Sequence, residues 1–155
     1  MKSKENTREY TQAPKEYTEK VIQIDRISRT VKGGRRIRFR ALVVVGNQKG
    51  KAGFGVAKGK EVLEAINKAV NSAKKRMLII QLNDKETINR EVRIKYCGAQ
   101  ILLKPAPKGT SLIAGGSIRA VIEAFGIKNI TAKSIGSANK INLVKATFQA
   151  LRQII

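Results

Sequence analysis

Residues 26–40, RISRTVKGGRRIRFR, contain seven Arg or Lys and no acid. Val31, Ile37 and Phe39 are interleaved with the charges. Lys32-Gly33-Gly34-Arg35 predicts a turn, since paired glycines supply the positive φ that a tight hairpin needs. Arg36, Arg38 and Arg40 alternate with Ile37, Phe39 and Ala41, so in a strand the two sets point to opposite faces. One face meets a core and the other is a row of guanidiniums. The plain reading is a solvated basic hairpin. Three like charges on one strand face repel one another, however, and that favours a polyanionic partner. Arg26, Arg29, Lys32, Gly33, Gly34 and Arg35 complete the cationic hairpin as candidate nucleic-acid contacts.

Working outward, residues 20–31 read as a first strand with Ile22 and Ile24 on one face, and residues 36–45 as a second. The run ALVVV at 41–45 is apolar on both faces and predicts deep burial. Residues 46–50 form a turn and 51–57 a third, short strand. The period then changes: Val62, Ile66, Ala69, Ala73 and Met77 recur at spacings of three and four, which predicts an amphipathic helix over 60–76. Lys74, Lys75 and Arg76 suit the negative pole of its dipole. A β-β-β-α module spanning 17–82 results. The polar stretch 1–16, with both signs of charge and no apolar period, reads as a mobile tail.

Asn83-Asp84-Lys85-Glu86 is a polar turn and the expected boundary to a second domain, 83–155. There, 91–97 and 100–104 read as strands around Gly98, and 105–116 as a loop rich in Pro and Gly. Ser117 is expected to cap a short helix carrying Ile118, Val121, Ile122 and Phe125, which Gly126 stops. Residues 127–135 read as a strand. Ser137 or Asn139 caps a last helix with Ile141, Val144, Phe148, Leu151 and Ile155 on one face. The fold class is α+β, its second half a βαβ-type module.

With 155 residues and 42% hydrophobic content, a real core can form. The net charge of +21 points to nucleic acid first and an anionic membrane second. No apolar run approaches the length of a membrane span, and no signal-peptide core is visible. The absence of histidine removes Ser-His-Asp and Cys-His catalysis and leaves no ordinary zinc ligand set around the lone Cys97. Cys97 reads as a small strand residue. Residues 26–60 hold eleven basic residues and no acid, and 92–155 hold ten basic residues and one acid, Glu123. Both modules are cationic, so the partner should touch both.

Three stretches carry candidate chemistry. Gly53-Phe54-Gly55-Val56 has the form of an RNA-stacking strand but lacks its further aromatics, so contact with the RNA backbone is favoured over stacking. Lys58-Gly59-Lys60 stands at a helix start, where free N–H groups favour phosphate; Lys49 and Lys51 extend the cationic set. The stretch 105–117, PAPKGTSLIAGGS, is similar to the phosphate loop of small-molecule kinases. It lacks the P-loop order and an evident carboxylate for magnesium, which disfavours catalysis. No catalytic residue, metal or cofactor is assigned.

Gly34-Arg35, Phe39, Ala41, Val44-Val45-Gly46-Asn47, Gly50, Gly53-Phe54-Gly55, Glu61-Val62 and Ala65-Ile66 together resemble the signature of the bacterial-type small-subunit ribosomal protein five family. Residues 104–121 and 137–146 resemble its second half. The resemblance implies an N-terminal domain like a double-stranded-RNA-binding fold and a C-terminal domain sharing the kinase βαβ fold without its catalysis. It implies a structural, non-enzymatic constituent of the small subunit, in the cytoplasm or in an organellar ribosome. The implied partners are small-subunit ribosomal RNA, met by the segment 28–35, and messenger RNA where it enters the subunit. Ribosomal proteins four and three are implied neighbours, with protein eight as a further candidate. Lys108, Gly109 and Arg119 are the implied protein interface; Arg119 stands on the helix side away from Ile118, Val121 and Ile122, so its guanidinium is expected to be free for a partner. The alternatives are a free-standing double-stranded-RNA binder or RNA chaperone and, more remotely, a small-molecule kinase. Lys140 departs from the family, standing where many members have Pro in the first helical turn.

Overall fold

The computed structural model describes residues 16–81 and 86–154. The expected tail lies outside the described residues except for Glu16, and so does the expected boundary except for Glu86. Strands β1 (Thr18–Val31), β2 (Gly34–Gly46), β3 (Lys51–Gly59) and β4 (Met77–Ile79) form one antiparallel sheet in that order, with helix α1 (Val62–Lys74) on one face. The second half contains β5 (Val92–Tyr96), β6 (Ala99–Pro105), β7 (Leu112–Ile113), α2 (Gly116–Phe125), β8 (Ile130–Gly136) and α3 (Lys140–Arg152). Its sheet order is β5-β6-β8-β7, and β7 and β8 run parallel across the α2 crossover.

Strand β2 is the hub. Residues 41–45 are at most 1% exposed, as the two-faced apolar run requires. Ala41, Val43 and Val45 pack against Ala65, Ala69, Val70 and Ala73 of α1. Leu42 and Val44 point the other way, into a core shared with Ile101, Val121, Phe125 and Phe148 of the second half. One strand thus belongs to two cores.

The helix buries the expected stripe: Ala69 and Ala73 are fully buried, Ile66 and Met77 pack against the same core, and Val62 is half-buried. The buried residues of α1 are Ala65, Ala69, Val70 and Ala73, while Leu63 is 71% exposed. The helix lies very close to β3, whose Gly53, Gly55 and Gly59 face it. A Cβ on these residues would lie 2.5 Å from the Ala73 oxygen, 2.0 Å from the Ala69 oxygen and 2.7 Å from the Ala65 nitrogen. The helix backbone rests directly on the strand, and that approach puts Ala65, Ala69 and Ala73 at the closest contact, with Ile66 packed at the margin.

Several boundaries shift. The hairpin turn is Lys32-Gly33, closed by a Val31–Gly34 pair, and the positive φ falls on Gly34, at 137°. The three-strand module gains β4, and the loop 105–116 contains β7. Gly115, not Ser117, is the N-cap of α2, with no side-chain bond; Gly126 ends that helix at φ 83°, as expected. The last strand starts at Ile130, because Gly126 and Ile127 close the helix end and the N–H groups of Lys128 and Asn129 donate to the Glu86 carbonyl. Of the two candidate caps of α3, Asn139 accepts the Ile141 N–H at 3.1 Å. Cys97 is not a strand residue: it is exposed in the β5–β6 turn with φ 51°.

The β2–β3 turn locks the halves together. Gln48 N–H donates to the Ala124 carbonyl (3.1 Å) and Gly50 N–H to that of Phe125 (2.8 Å), so two carbonyls at the end of α2 are satisfied across the modules. Asn47 Oδ1 shapes the turn by accepting the N–H groups of Lys49 and Lys51 at 2.8 and 3.0 Å.

Candidate nucleic-acid interface

The β1–β2 register places Arg29 opposite Arg36, Ile27 opposite Arg38 and Asp25 opposite Arg40. Lys58 of β3 stands opposite Arg40 on its other side. Arg29, Arg36, Arg38 and Lys58 therefore line one hollow of about 390 Å³, together with Ile27 and Val31. Among the described residues, no carboxylate lines it. A concave, low-dielectric wall bearing four cations raises the potential for a phosphate above that of a flat basic surface.

Arg40 does not belong to the free row. Its Nη2 and Nε donate to Asp25 Oδ2 at 2.7 and 3.0 Å, and Gln23 donates to Asp25 Oδ1 at 2.6 Å. These bonds, Arg40's first, hold the Asp25 carboxyl below the usual carboxylate range. Asp25 lies one residue outside the acid-free stretch, and its role emerges only once the register is set.

The other predicted contacts divide by position. Arg26 and Arg35 sit on the opposite face of the hairpin, where Arg26 pairs with Phe39 and Arg35 with Thr30. The tip comprises Lys32, Gly33 and Gly34, and a Cβ built on either glycine would meet nothing within 4 Å. Lys49 and Lys51 stand at the far end of β2, away from the tip; Lys51 Nζ lies 5.8 Å from the Tyr17 ring centroid.

At the start of α1, the Lys60 N–H offered to phosphate already donates to Glu64 Oε2 at 2.7 Å. Glu64 also accepts from Lys68, and these bonds hold its carboxyl at about 2. The helix start carries its own anion, leaving Lys58 rather than the N-terminus as the contribution of this segment. Phe54 is turned inward, with its ring 4.7 Å from that of Phe148, so it serves the shared core and not base stacking.

Lys108 and Gly109 lie in the loop between β6 and β7, and Arg119 in the first turn of α2. Gly109 has φ 98° and donates its N–H to Asn129 Oδ1 at 3.1 Å. Arg119 is not the free guanidinium expected from helical spacing. Its Nη2 donates to the Leu112 carbonyl at 2.8 Å, tying α2 to β7, and its Nε lies 3.8 Å from Glu123 Oε1. Gly109, Arg119 and Lys128 border a hollow of about 680 Å³ with Gln48 and Ser111. Among the described residues, no cluster of His, Cys, Asp and Glu could hold a metal ion, and no helix is long and apolar enough to cross a membrane.

Residues 17–81 match the family model for the N-terminal domain of ribosomal protein S5, and residues 94–155 the model for its C-terminal domain. Curated relatives share most of the chain. Small ribosomal subunit protein uS5 of Protochlamydia amoebophila is 48% identical over 96% of this chain and 88% of its own length. The uS5 of Ruegeria pomeroyi is 44% identical over 96% and 78%, and that of Mycoplasmopsis agalactiae 44% identical over 99% and 66%. Since the two domain models match in order on the two sheets just described, the chain belongs to the ribosomal protein S5 family.

Proposed function

We propose that the chain is a structural, non-catalytic constituent of the small subunit of a cytoplasmic ribosome, and that it binds ribosomal RNA through the β1–β2 hairpin. The observation that carries the reading is the hollow where Arg29, Arg36, Arg38 and Lys58 converge without a carboxylate. Arg26, Lys32, Gly33, Gly34 and Arg35 surround it at the tip and on the reverse face. Arg40 shapes the strand through Asp25, and Lys49, Lys51 and Lys60 extend the cationic surface. Residues 17–82 act as the RNA-binding domain and 83–155 as a second domain. Sedimentation of tagged protein with the small subunit through a salt-washed gradient tests the assignment; protein left entirely at the top of the gradient overturns it.

RNA affinity should follow the free cations. Each phosphate neutralised contributes roughly 0.7–0.9 to the log–log salt slope. Reversing Arg29, Arg36 and Arg38 to Glu should flatten the slope by about 2–3 units. Arg40→Gln should leave it within about half a unit, because that guanidinium is already neutralised. Titration of a ribosomal RNA fragment between 50 and about 300 mM salt checks both. Equal effects from the triple variant and Arg40→Gln would remove the hollow from the interface.

The hollow beside Lys108, Gly109 and Arg119 fits contact with a neighbouring protein, with ribosomal protein four the leading candidate and proteins three and eight as further neighbours. Messenger RNA passes near the surface shared with them. Arg119→Ala loses an exposed hydrogen bond, so the free protein should lose only about 0.5–1.5 kcal/mol. Ribosomes carrying it should misread a near-cognate codon at an altered rate. Unchanged misreading and unchanged subunit assembly would count against the interface.

A further inference from the structure

A second built surface lies away from the hairpin. Among the described residues, strand β5 is an edge of its sheet and pairs with β6 alone. Two hollows, of about 520 and 530 Å³, run between this edge and α3 and share Gln149 and Arg152. They are bordered by residues from both faces of β5: outward-facing Arg93 and Lys95, and helix-facing Ile94 and Tyr96. The space therefore opens onto the strand edge itself. Its floor is apolar, made by Phe54, Met77, Leu78 and Phe148. Its rim is cationic, with Arg76, Lys145 and Arg152, and among the described residues no carboxylate lines either hollow. Lys145 sits over the Tyr96 ring at 5.6 Å, and none of the five rim and edge cations forms an ion pair among the described residues.

We propose that the β5 edge is a docking site for an extended acidic segment of another protein, which adds as a strand beside β5. Its apolar side chains would lie on the Phe54–Phe148 floor and its carboxylates against Arg93, Lys95, Lys145 and Arg152. An edge strand presents alternate N–H and C=O groups that only another peptide backbone can continue. A nucleic-acid strand cannot continue that ladder, and the rings it would stack on are covered: Phe148 is 7% exposed and Tyr96 lies beneath Lys145. The complementary sequence alternates apolar and acidic residues over about five or six positions, matching the period of a strand the length of β5.

The test uses the full chain and three labelled probes: an eight-residue peptide of alternating Val and Glu, its two versions N-methylated at odd or at even residues, and octauridine. Anisotropy titrations at physiological salt are paired with amide hydrogen exchange of β5. The unmodified peptide should slow exchange along β5 and bind at least about tenfold more tightly than one of the methylated versions, since each keeps the charge but loses one set of ladder bonds. Lys145→Glu with Arg152→Glu, both on the exposed side of α3, should cost a similar factor while circular dichroism stays unchanged. Equal affinity of all three peptides would reduce the effect to charge attraction and overturn the proposal. So would octauridine protecting the β5 amides while the peptide does not.

Discussion

Chemical denaturation of a Val43→Asp variant is expected to show a loss of about 3–5 kcal/mol, the cost of leaving an uncompensated charge in a core. Val43 is completely buried between Val21 on β1 and Gly55 on β3, beneath the alanines of α1. The buried members of that cluster are all aliphatic and none could donate to the carboxylate; Tyr17 lies at its margin, where its hydroxyl accepts from Lys51. Domains of this size have about 5–15 kcal/mol in total, so the variant should populate unfolded protein near body temperature. The loss should not stop at the first module. Leu42 and Val44 of the same strand close the core of the second, so both halves should unfold in one transition at a lower denaturant midpoint. Ile37→Asp, on the exposed part of β2, is the control and should move stability by no more than about 0.5 kcal/mol. A soluble Val43→Asp variant of near-normal midpoint would refute the burial of this strand.

Much of this plan was legible from periodicity alone. Alternation over 36–41 set which residues share a face, and an apolar run without alternation at 41–45 announced a strand covered on both sides. What was not legible was register. With the turn at Lys32-Gly33, Arg40 falls opposite Asp25. Moving the turn on by one residue, to Gly33-Gly34, would set Arg40 opposite Ile27 and leave the guanidinium unpaired. Both turns satisfy the same glycine pattern, so the charge state of the row depended on a choice that local sequence leaves open. Arg119 was misjudged for a related reason: helical spacing shows which side of α2 it occupies, but not that β7 brings the Leu112 carbonyl there. Glu64 could have been read earlier. A carboxylate four residues after Lys60, in the first turn of a predicted helix, is an ordinary way to satisfy a helix start.

The glycines of β3 set how closely α1 rests on the sheet, and they support a second large effect. Gly55→Ala should destabilise the chain by about 1–3 kcal/mol or more, although alanine ordinarily favours strand and helix over glycine. Gly55 has no positive φ, so the effect is purely one of contact. Its new Cβ would lie 2.0 Å from the Ala69 oxygen and 2.9 Å from both the Ala69 carbonyl carbon and the Ala73 nitrogen. These are backbone atoms in the middle of α1, and no rotamer change moves them away. The helix must lift from the sheet, which loosens Ala65, Ala69, Val70 and Ala73 against Ala41, Val43 and Val45. The entropic gain of about 0.4–1 kcal/mol from restricting the unfolded chain does not offset that loss. Gly116→Ala isolates the two effects. Gly116 is the first residue of α2, has no positive φ and has open space where a Cβ would stand, so this variant should be neutral or slightly stabilised. Denaturant midpoints of the two variants should move in opposite directions. Below its own melting temperature, Gly55→Ala should keep the salt slope of RNA binding, because the cations of the hairpin hollow project from the face of the sheet away from α1. A Gly55→Ala variant as stable as Gly116→Ala would mean that α1 does not rest on β3 as closely as the backbone distances require.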